Sequence, residues 1–424
     1  MFRSVFLLFA TIVATSTLAD APARIYAQEL VDRTVAKHPE LAVMVMHVTP
    51  PDSSVNVIVA SNIGRIGKPA DADDLSVLKS GQARGSVNKA GDRFEALMPL
   101  KDVSGRVLGV LGLVFPYKSG DDKGRLLASA ESIRNELGRR ISHVKNLMEP
   151  AQFDSRVPID TYGQQLVDEA LAANPDVIIL ALHTVPPGIG DNVIVASNIG
   201  RIGKKADDDD LDVIKTGTPK LELNETGDRF EVEQRLLDVS GDTLGAVGVV
   251  FNYKPGDDRD ALHRKADQVA AFLQRHISNV KNLQEPYPYV ASTAANTFAQ
   301  QLVDAAMTRH PELLILCIHA STPDQADAPI LGCSIGRLGK KADEDDMRVV
   351  KTGAPNLEVN AGGNRFEVEE QLHDRSGAVI GALSTVFAYK PGDDKEALHK
   401  AGDKIVSELE RQIPNRAKLS EPMS

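Results

Sequence analysis

The sequence predicts an α+β fold in three tandem copies. Each copy is expected to hold an antiparallel five-stranded sheet flanked by an N-terminal helix, a short helix and a long C-terminal helix. Three observations lead there. The segment SNIGRIGK at Ser61 to Lys68 returns letter for letter at Ser197 to Lys204, and as CSIGRLGK at Cys333 to Lys340. Gly64, Gly200 and Gly336 stand 136 residues apart, and the same step carries His47 to His183 and His319, and Phe94 to Phe230 and Phe366. Within each copy the patterns run helix, two strands, short helix, three strands, long helix, an order that suits an antiparallel sheet rather than a βαβ array. The period far exceeds the roughly 20–50 residues of solenoid repeats, so each copy is a domain with its own core. The expected boundaries are 1–19 for a signal peptide, then 20–150, 151–286 and 287–424.

The elements follow in order. Arg24 to Lys37 places Ile25, Leu30, Val31, Thr34 and Val35 on one side of a helix, which Pro39 ends. LAVMVMHV is an unbroken apolar run of strand length, and a polar loop separates it from VNVIVASN, giving a hairpin-like pair. After SNIGRIGK comes an acidic segment, ADADDLSVLKSG, whose Asp start and terminal Gly81 mark a short helix. A short strand precedes GDRFEALMPLKD, which in copy two reads GDRFEVEQRLLD and alternates apolar and polar residues, so one face is buried. VLGVLGLVFPY is apolar on both faces and is the central strand. A Lys-(Pro/Ser)-Gly-Asp-Asp junction then caps a long helix expected from Asp121 to about Leu147.

Arg3, the apolar run Val5 to Ala14 and the small residues Thr17 and Ala19 form a secretory signal pattern, and the run is too short for a membrane span. An extracytoplasmic product, periplasmic or secreted, is therefore expected, with no span after cleavage. The formal charge of −11 argues against nucleic acid and anionic lipid as partners, and the absence of Trp removes a stacking platform. The only two cysteines, Cys317 and Cys333, lie in copy three. If their strands pair antiparallel about a centre near Gln325, the sulfurs face each other; a disulfide and two buried thiols are both open.

The element order, with SNIGRIGK, the following acidic helix, G-x-RFE and D-x-SG, resembles the PAS-like Cache sensor domains found outside bacterial membranes. The resemblance covers essentially each full copy and implies a small-molecule pocket on one sheet face, beneath the loop and the short helix. The chain departs from the usual receptor plan in carrying no kinase, methyl-accepting or cyclase module, so any signal would pass to a membrane-bound partner.

Candidate ligand contacts fall at matching places in the three copies. Arg65 and Lys68, with Arg201 and Lys204, and Arg337 and Lys340, put cations in the glycine loop, where they either grip a carboxylate or neutralise the acidic helix downstream. No phosphate fingerprint is present, and a turn is the commoner reading. His47, His183 and His319 end a buried strand and would bring a group that titrates near neutrality into an apolar pocket. Arg93 and Glu95, Arg229 and Glu231, and Arg365 and Glu367 lie on the polar face of the fourth strand. They are either surface ion pairs or a pocket floor taking an anion and an amine. No second His or Cys keeps the repeat step, so a metal or haem cofactor is not expected. With no GxSxG or HExxH the chain is not expected to be an enzyme. The Asp-rich starts, including Ala206 to Asp210, read as helix caps and solvated helix faces.

Overall fold

A computed structural model describes residues 24–322 and 327–423; the expected signal peptide lies outside the described residues. Unit one runs α1 (Tyr26–Lys37), β1 (Val43–Val48), β2 (Val57–Ser61), α2 (Ala72–Ser80), β3 (Arg84–Val87), β4 (Arg93–Lys101), β5 (Val107–Pro116), α3 (Lys123–Gly138) and α4 (Val144–Met148). Unit two repeats it as α5 (Tyr162–Ala173), β6 (Val177–Thr184), β7 (Val193–Ser197), α6 (Asp208–Thr216), β8 (Lys220–Leu223), β9 (Arg229–Leu237), β10 (Thr243–Asn252), α7 (Arg259–His276) and α8 (Val280–Leu283). Unit three gives α9 (Phe298–Arg309), β11 (Leu313–Ala320), β12 (Ile330–Cys333), α10 (Glu344–Thr352), β13 (Asn356–Val359), β14 (Arg365–His373), β15 (Val379–Ala388) and α11 (Lys395–Glu410), closing with a 3-10 turn over Arg416–Ser420. The fold is α+β, three antiparallel five-stranded sheets in a row. The first has the order β2-β1-β5-β4-β3, and the other two repeat it.

Each sheet is covered on both faces, unequally. On one face of unit one, α1 and α3 close over Met44, Met46, Phe94, Met98, Leu111, Leu113 and Phe115. α1 turns Tyr26, Ala27, Leu30, Val31 and Thr34 inward at helical spacing. β5 hydrogen-bonds β1 and β4 on its two sides, the central place its two-faced apolar sequence predicts. On the other face the short helix α2 packs Val77 onto Leu97 and Val110. Asp71 accepts from the amides of Asp73 and Asp74 while Asp74 reaches back to the Asp71 amide, a closed capping box, and Gly81 ends the helix at φ 65°. The short helix thus sits at a fixed place above the sheet face that carries His47 and Glu95.

Two expectations need correction. The last helix of each unit does not run on to its successor: α3 stops at Gly138 and α7 at His276. Ile141 and Ile277 are fully buried where the chain crosses, and the side chains of His143 and Asn279 then cap a separate short helix. Buried apolar anchors and new caps outweigh helix continuation. Second, the glycine-loop arginines of units two and three do not neutralise the downstream acidic helix; each pairs with a glutamate of the preceding unit, as described below. Cys317 and Cys333 are register partners on β11 and β12 and are joined by a disulfide.

Candidate functional site

In each unit the loop after the second strand folds back along it. In unit two the amide of Gly203 donates to the Ile194 carbonyl at 2.8 Å, and that of Ile194 to the Lys204 carbonyl at 2.9 Å. Closing so tight a turn takes positive φ at Gly200, Arg201 and Gly203, and glycine meets this at no steric cost at two of the three. The loop and α6 form a rim over the sheet face left free by the long helices. Beneath them lies a cavity of about 360 Å³ lined by His183, Arg201, Lys204, Arg229 and Glu231, over an apolar floor that includes Ile179, Ala181 and Val250. Unit three holds its counterpart, about 530 Å³, lined by His319, Arg337, Lys340, Arg365 and Glu367 over Ile315, Cys317 and Val386. The structure therefore brings together all five singled-out positions in each of these two units.

Unit one is different. His47 is buried with its Nε2 3.7 Å from Asp74 Oδ2, but Arg65, Lys68, Arg93 and Glu95 are all exposed. Two causes are visible. Units two and three borrow a wall from the unit before them, Ser142 and His143 in one case and Ser278 and Asn279 in the other. Unit one has no predecessor among the described residues. It also fills the spot beneath its short helix with Leu97, where β9 and β14 carry Glu233 and Glu369.

That substitution places a carboxyl group in a site built for an apolar side chain. Glu233 is pushed up to about 10 by burial first and by its hydrogen bond to Asp210 second, so it is a neutral acid at pH 7. Asp210 is drawn down to about 2: hydrogen bonds from His183 and Glu233 outweigh the opposing effect of burial. Asp210 is 2% exposed, and His183 Nδ1 stands 3.1 Å from its Oδ2. In unit three Glu369 is likewise held at about 10 by burial first and then by its hydrogen bond to Asp346, and His319 Nδ1 stands 3.5 Å from Asp346 Oδ2. Burial also lowers the affinity of His47 and His319 for a proton. Glu231 and Glu367 are raised, by burial first and then by Asp210 and Asp346 respectively. Glu231 is solvent-reachable through the cavity mouth yet ringed by its walls, which reconciles its exposure with that shift.

The cations divide into two groups. Arg229 spans the junction to Asp102, with Nη2 3.2 Å from Oδ2, and also donates to Ser104 and to the Ser142 carbonyl. Arg365 does the same with Asp238, Ser240 and Ser278. Arg201 pairs with Glu149 and Arg337 with Glu285, each at 2.9 Å. Lys204 and Lys340 make no ion pair among the described residues. Each cavity thus has an acidic inner end and one uncommitted lysine at its rim. The acidic partners Asp210, Glu233, Asp346 and Glu369 escaped sequence reasoning, which read the Asp runs as solvated caps. The signal was the register comparison: Leu97 against Glu233 and Glu369 at one step of the repeat.

The chain is, by its sheets, three tandem PAS-like α+β units. No family model matches it and no curated protein matches it. Among solved structures it is similar to the GAF domain of a two-component sensor histidine kinase from Bacillus halodurans, at 12% identity and TM-score 0.21, covering 26% of this chain and 89% of that one. It is also similar to PelD from Pseudomonas aeruginosa, at 14% identity and TM-score 0.22, covering 63% and 83%. A third is the inducer-binding domain of the PobR transcription factor from Acinetobacter, in complex with 3-hydroxybenzoic acid, at 11% identity and TM-score 0.13, covering 58% and 95%. Scores this low add nothing to what the sheets define.

Proposed function

We propose that units two and three each bind a small polar metabolite, its ammonium group held at the acidic inner end and an anionic group at Lys204 or Lys340. The protein is in this reading an exported Cache-type sensor or sequestering module that hands its signal to a membrane-bound partner, with no catalytic step of its own. One observation carries the binding reading: the same cavity occurs twice, each with a buried His–Asp pair at its inner end, His183 with Asp210 and His319 with Asp346, and a rim lysine that makes no ion pair among the described residues. The secretory pattern at the N-terminus supports the export part of the reading.

Thermal-shift screening of the full chain against amino acids, polyamines and organic acids tests it. A ligand at 100-fold its dissociation constant should stabilise its unit by about 2.7 kcal/mol. The shift should be lost for the unit carrying Glu231→Gln or Glu367→Gln. A library without a stabilising amine would leave the second reading, a structural array of stacked domains with vestigial pockets, which the closely hydrogen-bonded junctions favour.

A further inference from the structure

The two junctions between units are copies of each other. Arg229 clasps Asp102, Ser104 and the Ser142 carbonyl in the first, and Arg365 clasps Asp238, Ser240 and the Ser278 carbonyl in the second. Arg201 pairs with Glu149 and Arg337 with Glu285. Asn146 donates to the Ile199 carbonyl and Asn282 to that of Ile335, both at 3.0 Å. The rings of Tyr26 and Tyr162 lie so close to Gly200 and Gly336 that a Cβ there would stand 2.6 and 2.5 Å from them. Each junction therefore joins the glycine-loop face of one unit to the tail of the unit before it, where the first and last helices end.

Among the described residues, both halves of that junction remain open at the ends of the array. On unit one, Arg93 and Arg65 are exposed and make no side-chain hydrogen bond or ion pair among the described residues. Ile63 is 43% exposed, where its counterparts Ile199 and Ile335 are 4% and 1%. A Cβ on Gly64 would meet nothing within 4 Å. On unit three, Asp374 spends its Oδ1 on the amides of Ser376 and Ala378, as Asp102 and Asp238 spend theirs on their own turns. Its Oδ2, the atom that takes the arginine in both internal junctions, has no hydrogen-bond partner among the described residues.

We propose that the chain associates head to tail, the Asp374 end of unit three in one copy docking on the Arg93 face of unit one in the next, through a third instance of its own internal junction. The matching charges are in place: Asp374 and Glu421 against Arg93 and Arg65. The departures weaken the contact without abolishing it. Phe298 keeps the ring of Tyr26 and Tyr162 but loses the hydroxyl, and Lys418, paired with Glu421 at 2.6 Å, stands where Asn146 and Asn282 donate. Arg375 stands where Val239 packs on Ile335 and Leu338, so this junction lacks that apolar contact. The two surfaces differ, so the contact is heterologous and extends as an open chain rather than closing as a dimer. It also supplies unit one with the missing wall: Pro414 and Asn415 of the second copy fall where Ser142 and His143 close the cavity of unit two. His47, Asp74 and Glu95 then face an enclosed site.

Sedimentation velocity of the full chain over a wide concentration range tests this. The weight-average mass should rise steadily past that of a dimer. Arg93→Ala, at an exposed position, and Asp374→Asn, which keeps the Oδ1 that its own turn uses, should each sediment as monomer with unchanged circular dichroism. Mixed in equal amounts they should form a dimer and nothing larger, because one supplies an intact tail and the other an intact head. A wild-type chain that stays monomeric at every concentration overturns the proposal, and residues before Arg24 covering the face would appear in this way. Variants that assemble like wild type, or a mixture that stays monomeric, overturn it equally. None of these readouts depends on a ligand.

Discussion

At the scale of single residues, one exchange separates the units: leucine at 97, glutamate at 233 and 369. Leu97 closes an apolar contact with Val77 and Val110, whereas Glu233 in the same register keeps its proton by facing Asp210. Sequence reading reached His183, Arg229 and Glu231 because they repeat in all three copies. It passed over Glu233 because that position does not repeat, and over Asp210 because a capping aspartate looks the same whether its second oxygen meets water or a cavity. A group whose folded pKa lies above its unfolded value lends stability that is complete below the unfolded value and is lost as pH climbs through the folded one. For Glu233 and Glu369 that loss spans the range from the ordinary carboxylate value up to about 10. Asp210, held near 2, loses its contribution only in strong acid. The double variant Glu233→Gln/Glu369→Gln, which keeps a donor for the neighbouring aspartate, should therefore melt above wild type at pH 9 and draw level or below it near pH 5. Calorimetric melts across that range check it; parallel curves for the two proteins would refute the protonated-glutamate assignment.

At the scale of elements, strands and short helices were legible because each signal was local and strong: apolar runs of strand length, an Asp–Gly bracket, alternation in β9. The breaks after α3 and α7 were not legible, because the helical pattern continues and only tertiary burial of Ile141 and Ile277 stops it. The glycines of the last strand are a further case. Gly109, Gly245 and Gly381 read in sequence as small residues in an apolar strand. In the structure a Cβ on Gly245 would sit 1.7 Å from the carbonyl oxygen of His183, where β10 shifts register against β9. No rotamer relieves a clash with backbone, so β6 and β10 would have to part at the histidine that lines the cavity. Gly245→Ala should cost about 3 kcal/mol, at the upper end for overpacking. It should lower the melting point of the second unit while Gly190→Ser, in a loop of the same unit with open space around it, costs less. Equal losses for the two would remove the close-approach argument.

At the scale of the whole molecule the chain is an array whose members lean on their predecessors, and this follows from where the apolar residues lie rather than from any linker. Ile335 and Leu338, each 1% exposed, are covered partly by Val239 of the unit before, and Arg365 finds its carboxylate there too. The corresponding residues of unit one, Ile63 and Arg93, already face solvent. The tail face that unit one would itself expose on separation is largely polar, Asp102 and Asn146 among it. Separation should thus be unequal in effect. A fragment spanning 20–150 should be soluble and melt close to its temperature in the full chain. A fragment spanning 287–424 gains two exposed aliphatic side chains and two unpaired arginines, Arg337 and Arg365, and should melt lower, bind a hydrophobic dye and aggregate. Extending it back to 151 should restore the third unit, since stability in such arrays is a sum of unit and nearest-neighbour terms. Should 287–424 alone melt as it does in the intact protein, the junctions would be passive contacts, and neither a borrowed cavity wall nor end-to-end assembly would have an energetic basis.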